Sequence, residues 1–204
     1  MERAKDKLKV KIIIGSTRLS RFSEKPAAYI FEELNKISEI QAELLDLRDY
    51  AIPFFNSSVP PARSGGKYDD KVVQDWANKV NEGDAFIIVT PEYNHGYPAV
   101  LKNAIDVLFP EWNHKAVGFV SYGNSGGARA IEQLVQVAVE VRLVPIFKSI
   151  NIPGEVYLKL MKEQPKDYSQ AFEQVRHGPR GDNFQLFFNE LIWMGNALKA
   201  ARQK

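Results

Sequence analysis

The chain has 204 residues, 45% of them apolar and 25% charged, with a net charge of +2 and no cysteine. That length suits one domain with a substantial core, and the composition is ordinary for a soluble globular protein. Missing cysteines rule out disulfides, thiolate catalysis and Cys-ligated metals, the lack of a basic stripe with interleaved aromatics leaves nucleic-acid binding unsupported, and no run approaches the ~18 apolar residues of a membrane span.

Two periods alternate along the chain. Residues 9–14 (KVKIII) read as a β-branched strand, and 26–37 as a helix with Ala27, Ile30, Phe31 and Leu34 on one face. Period two returns over 40–47. Residues 68–81 are helical, with Val72, Val73, Trp76 and Val80 aligned, and 85–90 form a fully apolar strand. A helix is expected over 98–108, a strand over 116–122, a helix over 128–141, a fifth strand over 143–150 and a long closing helix over 183–203. Alternating β and α, with central runs apolar on both faces, means a parallel sheet covered on two sides. Five strands and five helices fit the doubly wound order 2-1-3-4-5, with residues 1–204 as a single domain. The charged opening MERAKDKLK lacks the apolar core of a signal peptide, so a cytoplasmic protein is the expectation.

That topology brings the loops after strands 1, 3 and 4 to one rim. The first, GSTRLSRFS (15–23), reads as a phosphate seat. Ser23 is placed as the N-cap of a helix whose first turn tolerates Pro26. Unpaired amides at a helix start attract anions; Ser16, Thr17, Ser20 and Ser23 add hydroxyls, while Arg18 and Arg21 add charge. The loop is neither G-x-x-x-x-G-K-[ST] nor G-x-G-x-x-G, so the ligand implied is a mononucleotide. The second loop, PEYNHGYP (91–98), offers a rigid turn, an aromatic edge and amide donors to a flat ring. The third, SYGNSGGAR (121–129), lets the backbone approach closely and aims a helix N-terminus at the same place. Residues 53–67 read as either a substrate-side loop or plain surface.

The spelling PEYN followed by LKNAID, with GSTR before it and GNSGG after it, resembles the NADPH-dependent FMN reductase family, the flavodoxin-like quinone and azo reductases. The resemblance implies a flavodoxin-like three-layer sandwich holding FMN, with NADPH or NADH as electron donor. It also implies a small-molecule electron acceptor: a quinone, azo compound, free flavin or metal complex, reduced by ping-pong exchange. Positions matching Pro91, Glu92, Tyr93 and Asn94 would line the flavin. Those matching Ser121, Tyr122, Gly123 and Gly126 would bracket its pyrimidine end, and those matching Ser16 and Arg18 would sit at the phosphate, where the reading of the loop itself adds Arg21 and Ser23. Such proteins form homodimers or homotetramers, and residues 98–108 would then pack on a partner.

No side chain is expected to perform acid–base catalysis or to bind a metal. His95, His114 and His177 lack metal spacing; His95 could face substrate from the flavin loop. Glu92 reads as a loop hydrogen bond and Asp106 as a helix-face contact. Trp76, Trp112 and Trp193 read as packing residues, with Trp112, if exposed, a candidate interface contact. Residues 153–181 look like an elaboration beyond a short tail. The rival reading is a flavin-binding electron carrier or redox sensor, although an electron-transfer flavodoxin would be more acidic and its phosphate loop richer in threonine.

Overall fold

A computed structural model describes residues 6–165, 168–179 and 181–203, so Lys166, Asp167 and Arg180 of the elaborated segment and the first five residues of the opening lie outside it. β1 (Leu8–Ile14) pairs in parallel with β2 (Ile40–Asp46) on one side and β3 (Ala85–Pro91) on the other, and β3 pairs with β4 (Ala116–Tyr122). β4 in turn pairs with β5 (Val144–Pro145) and β6 (Ile150–Ile152), completing the order β2-β1-β3-β4-β5. β3 and β4 are buried at every position, because helices cover both faces and no side of the strand meets water. One layer consists of α1 (Glu24–Asn35), α5 (Gly154–Glu163), α6 (Ser169–Arg176) and α7 (Asn183–Arg202). The other is α2 (Lys71–Asn81), α3 (Ala99–Asp106) and α4 (Ala128–Glu140). This is the three-layer, doubly wound sandwich expected from the sequence.

The fifth strand differs from expectation. In place of one strand over 143–150 there are two short pieces, β5 and β6. β4 advances three residues from Val117 to Val120 while its partner advances five, from Pro145 to Ile150. The extra chain bulges toward α7, where the carboxylate of Glu190 accepts the amides of Phe147 and Lys148 at 2.7 and 3.0 Å. Phe187 of α7 lies directly on the sheet at Gly118, where a Cβ would stand 2.5 Å from its ring.

The tryptophans also sort differently. Trp112 is fully buried and so cannot serve as an interface contact; it stacks edge-on against Trp76 and Phe86, and its indole donates to the Ile105 carbonyl at 3.2 Å. Trp193, expected to pack, is 67% exposed on α7. The elaborated segment contributes α5, α6 and a two-stranded hairpin of β7 (His177–Gly178) and β8 (Gly181–Asp182). Arg176 ties this segment to α1 through Tyr29 and Glu33, both at 2.6 Å, and to the α7 N-cap Asp182 at 2.7 Å. Tyr157 of α5 meets Phe22, immediately behind the first rim loop.

Candidate functional site

Sheet register brings the three loops together. Ile14 lies opposite Val89, and Pro91 opposite Tyr122, so β3 and β4 end together and β1 ends two residues short of them, on the same edge of the sheet. Gly15 donates its amide to the Val89 carbonyl at 2.8 Å, and Glu92 donates to that of Tyr122 at 2.9 Å. Two hydroxyl pairs then tie the first loop to the others: Ser16 with Tyr93, and Ser23 with Tyr122, each at 2.9 Å. Tyr122 is buried, and desolvation pushes its phenol well above the usual range, so it stays a neutral hydrogen-bonding group.

The first loop is built from outside its own sequence. Arg48, just past β2, turns its guanidinium onto three successive carbonyls, those of Thr17 (3.4 Å), Arg18 and Leu19 (2.9 Å). With those carbonyls drawn toward Arg48, the amides of Thr17, Leu19, Ser20, Phe22 and Ser23 have no protein acceptor among the described residues. A turn that presents several unpaired amides is an anion seat. Arg18 stands exposed beside it.

Arg21 was expected to add its charge to this seat. It is instead buried, and its guanidinium grips Asp46 with both terminal nitrogens while also donating to the Ser16 carbonyl at 2.6 Å. Burial alone would raise the Asp46 carboxyl, but the Arg21 bonds and the Arg48 amide outweigh it and hold Asp46 below the usual range. The Asp46 bond likewise raises Arg21 above its ordinary value. Its Nε lacks a hydrogen-bond acceptor, although the Glu24 carboxylate lies 3.6 Å away. Ser23 does occupy the N-cap position of α1, yet its side chain makes no capping bond, because the hydroxyl is taken by Tyr122.

In the second loop Tyr93 and Gly96 exchange backbone hydrogen bonds of 2.7 and 3.0 Å around Asn94 and His95. Both apex residues have positive φ, 50° and 70°, as the two central residues of a type I′ turn must. The exposed apex is braced from α4, where Gln133 donates to the His95 carbonyl at 3.1 Å. Glu92 makes the loop hydrogen bond expected of it: its carboxylate accepts from the Arg129 amide at 3.2 Å and the Arg129 guanidinium at 3.0 Å. This pair fastens the second loop to the first turn of α4. Asp106 pairs with Lys102 one turn back on α3.

The third loop turns inward at its ends. Ser121 donates to the Gly126 carbonyl at 2.7 Å, and Asn151 of β6 donates to the Ser121 hydroxyl at 3.0 Å and that carbonyl at 3.3 Å. Gly127 caps α4 with φ of 76°, and an added Cβ would stand 2.6 Å from that of Ser121. Only glycine fits there. The N-terminus of the 13-residue α4 therefore opens onto the rim beside Glu92 and Tyr122.

The twelve expected site residues thus gather at one rim, in two sets. Arg18 and Asn94 are exposed, while Arg21, Ser23, Ser121 and Tyr122 hold the loops in place from within. Asp46, Arg48, Arg129, Gln133 and Asn151 also build the site, although nothing in their local sequence marks them as site residues. The first two could have been found, because strand order 2-1-3 already sets the end of β2 beside the first loop.

The fold is that of a flavodoxin-like protein, and the three rim loops meet at the switch point between β1 and β3. The family model for NADPH-dependent FMN reductase matches residues 8–155. A NAD(P)H-dependent FMN reductase of Schizosaccharomyces pombe is 30% identical over 181 residues, covering 88% of this chain and 90% of that one. One from Saccharomyces cerevisiae is 35% identical over 162 residues, covering 75% and 81%. Among solved structures, a flavoenzyme NAD(P)H:(acceptor) oxidoreductase of Paracoccus denitrificans superposes with a TM-score of 0.57 at 21% identity over 94% of each chain. The chain belongs to the NADPH-dependent FMN reductase family, whose cofactor is FMN and whose electron donor is NAD(P)H.

Proposed function

We propose that this chain, acting as a single flavin-binding domain, passes electrons from NAD(P)H to small acceptors such as quinones, azo compounds, free flavin or metal complexes. Donor and acceptor would visit one crevice in turn, giving ping-pong kinetics. The observation that carries this reading is the first loop, whose carbonyls are held aside by Arg48 while its amides stay unpaired. A dianionic phosphate fits that donor set. FMN, when bound, supplies the capacity to take up a hydride from NAD(P)H and hand two electrons onward.

The protein's own part is placement and electrostatics. Ser16, Arg18 and the free amides of the first loop would hold the phosphate. Pro91, Glu92, Tyr93 and Asn94 would flank the ring, with Tyr122, Gly123 and Gly126 at its pyrimidine end. The N-terminus of α4, held to the second loop by Glu92 and Arg129, offers positive potential where negative charge develops on reduction. No side chain is needed as an acid–base catalyst in this scheme. Steady-state kinetics on FMN-loaded protein, with both nicotinamides and a quinone panel, tests the scheme. Parallel double-reciprocal lines are expected, whereas intersecting lines, which require a ternary complex, would overturn the single-crevice exchange.

The same reading carries a homodimer or homotetramer and a cytoplasmic setting. α3 already buries Leu101, Asn103, Ala104 and Ile105 within its own chain, so a partner would meet only its remaining face; light scattering measures the assembly. Among the described residues no helix is long and apolar enough to cross a membrane.

A further inference from the structure

The long connection between β2 and α2 is fixed in place. Asn103, buried on α3, accepts the Phe55 amide and donates to the Pro53 carbonyl, both at 2.9 Å. Farther along, Tyr68 donates its hydroxyl to Glu111 at 2.8 Å, and Ser64 bonds the Pro61 carbonyl at 2.8 Å and the Gly66 amide at 3.1 Å. Under this framework lies a cleft of about 490 Å³, within the range of small-molecule sites.

Its lining is unusual for a surface loop. Phe54 is 81% exposed and Phe55 45%, a large aromatic area left in water where folding alone would bury it. Arg63 and Lys67 also line the cleft, and neither forms an ion pair among the described residues. Two carboxylates stand nearby, Asp69 and Asp70, and that of Asp70 is engaged by the amides of Val72 and Val73 at 2.7 and 3.1 Å. Exposed rings beside two unpaired cations suit a flat aromatic group carrying a dianion. The cleft also lies close to the rim. Asn103 is four residues into α3, about 6 Å from the helix start at 1.5 Å per residue, and α3 begins just beyond the second loop.

We propose that this cleft receives the adenosine 2′-phosphate end of NADPH, with Phe54 and Phe55 against the adenine and Arg63 and Lys67 on the 2′-phosphate. NADPH and NADH differ only in that phosphate, so the two cations set the donor preference of this chain. The proposal rests on the reductase reading for its biological sense, but its binding test does not.

The test is calorimetric titration of 2′,5′-ADP and 5′-AMP into FMN-loaded protein and into protein without added flavin. Wild type is expected to bind 2′,5′-ADP about 10-fold more tightly than 5′-AMP, a modest figure because exposed cations are screened. The double variant R63S/K67S should bring the two ligands to equal affinity, with an unchanged melting temperature. Its kcat/KM should fall about 10-fold for NADPH and stay the same for NADH. Phe54→Ser should weaken both nucleotides alike. Equal binding of the two nucleotides by wild type, or a preference that survives R63S/K67S, would overturn the proposal. So would a sulfonated azo dye that occupies the cleft while 2′,5′-ADP does not. A protein that binds 2′,5′-ADP here yet fails to bind FMN would sink the reductase reading and leave this site standing.

Discussion

Replacing Arg48 by Met isolates the feature on which the proposed phosphate seat depends. Met keeps most of the stem but removes a guanidinium that reaches the carbonyls of Thr17, Arg18 and Leu19. The bond to Leu19 is well formed at 2.9 Å, whereas that to Thr17 is long at 3.4 Å. The side chain is one-third exposed at 33%, so each good bond counts for about 1 kcal/mol rather than the larger values of buried charged groups. Two of them ordering the loop amount to about 2 kcal/mol, or roughly 30-fold in affinity. The loss should fall on FMN alone, because riboflavin has no phosphate for the loop amides to hold. Quenching of flavin fluorescence on titration reads both ligands. An Arg48→Met protein that loses FMN and riboflavin equally, or loses neither, would show that Arg48 does not shape the seat.

Other expectations follow from single contacts. Gly127→Ala places a Cβ 2.6 Å from that of Ser121 and 2.9 Å from the Tyr122 amide nitrogen, at a φ of 76°. It should cost more than about 2 kcal/mol in urea denaturation and lower FMN occupancy as α4 shifts; a silent substitution would mean the third loop is not so constrained. His95→Gly relieves a left-handed residue at φ 70° and should stabilise the fold by about 1 kcal/mol, which denaturant melts detect. Lys115 is buried with its ammonium nitrogen 3.1 Å from the carbonyls of both Val80 and Asn81, and desolvation, then repulsion from Arg202, lowers its pKa to about 7 against the favourable pull of Asp84 and Glu111. Between about pH 7 and the ordinary lysine value of 10.5, the unfolded chain therefore holds a proton that the folded chain has lost. Stability should rise with pH across that window, by up to about 1.4 kcal/mol per unit, and stay flat below it. Lys115→Met should abolish the rise between pH 7 and 9; the same rise in the variant would refute it.

The parts of this molecule that follow local rules were legible in its sequence. β3 and β4 are mostly apolar, so their burial on both faces, the parallel sheet and the rim of loops all follow from composition and period. The PEYN string stands out by its resemblance to the family, and Gly126 and Gly127 by the close backbone approach that glycine allows. What escaped depends on partners distant in sequence. Arg21 reads as a phosphate ligand until Asp46, 25 residues on, turns it inward. The break in the fifth strand is set by Glu190 on α7, 43 residues beyond Phe147. Trp112 sits in a connection whose sequence has no period to assign it a side, so only the fold reveals that Phe86 and Trp76 enclose it. Trp193 lies on a helix whose polar residues are spread round it, so that no face stands out as the wet one. Asn151 could not be tied to Ser121 without knowing that β6 returns beside β4.

The most direct check is anaerobic stopped-flow mixing of FMN-loaded protein with NADPH, followed by addition of a quinone. A rim built to hold FMN and present it to the donor should give bleaching of the protein-bound yellow colour at a rate that saturates with NADPH, and the quinone should restore the colour for further rounds. Colour that persists in excess NADPH, or flavin that separates from the protein on gel filtration, would contradict the account.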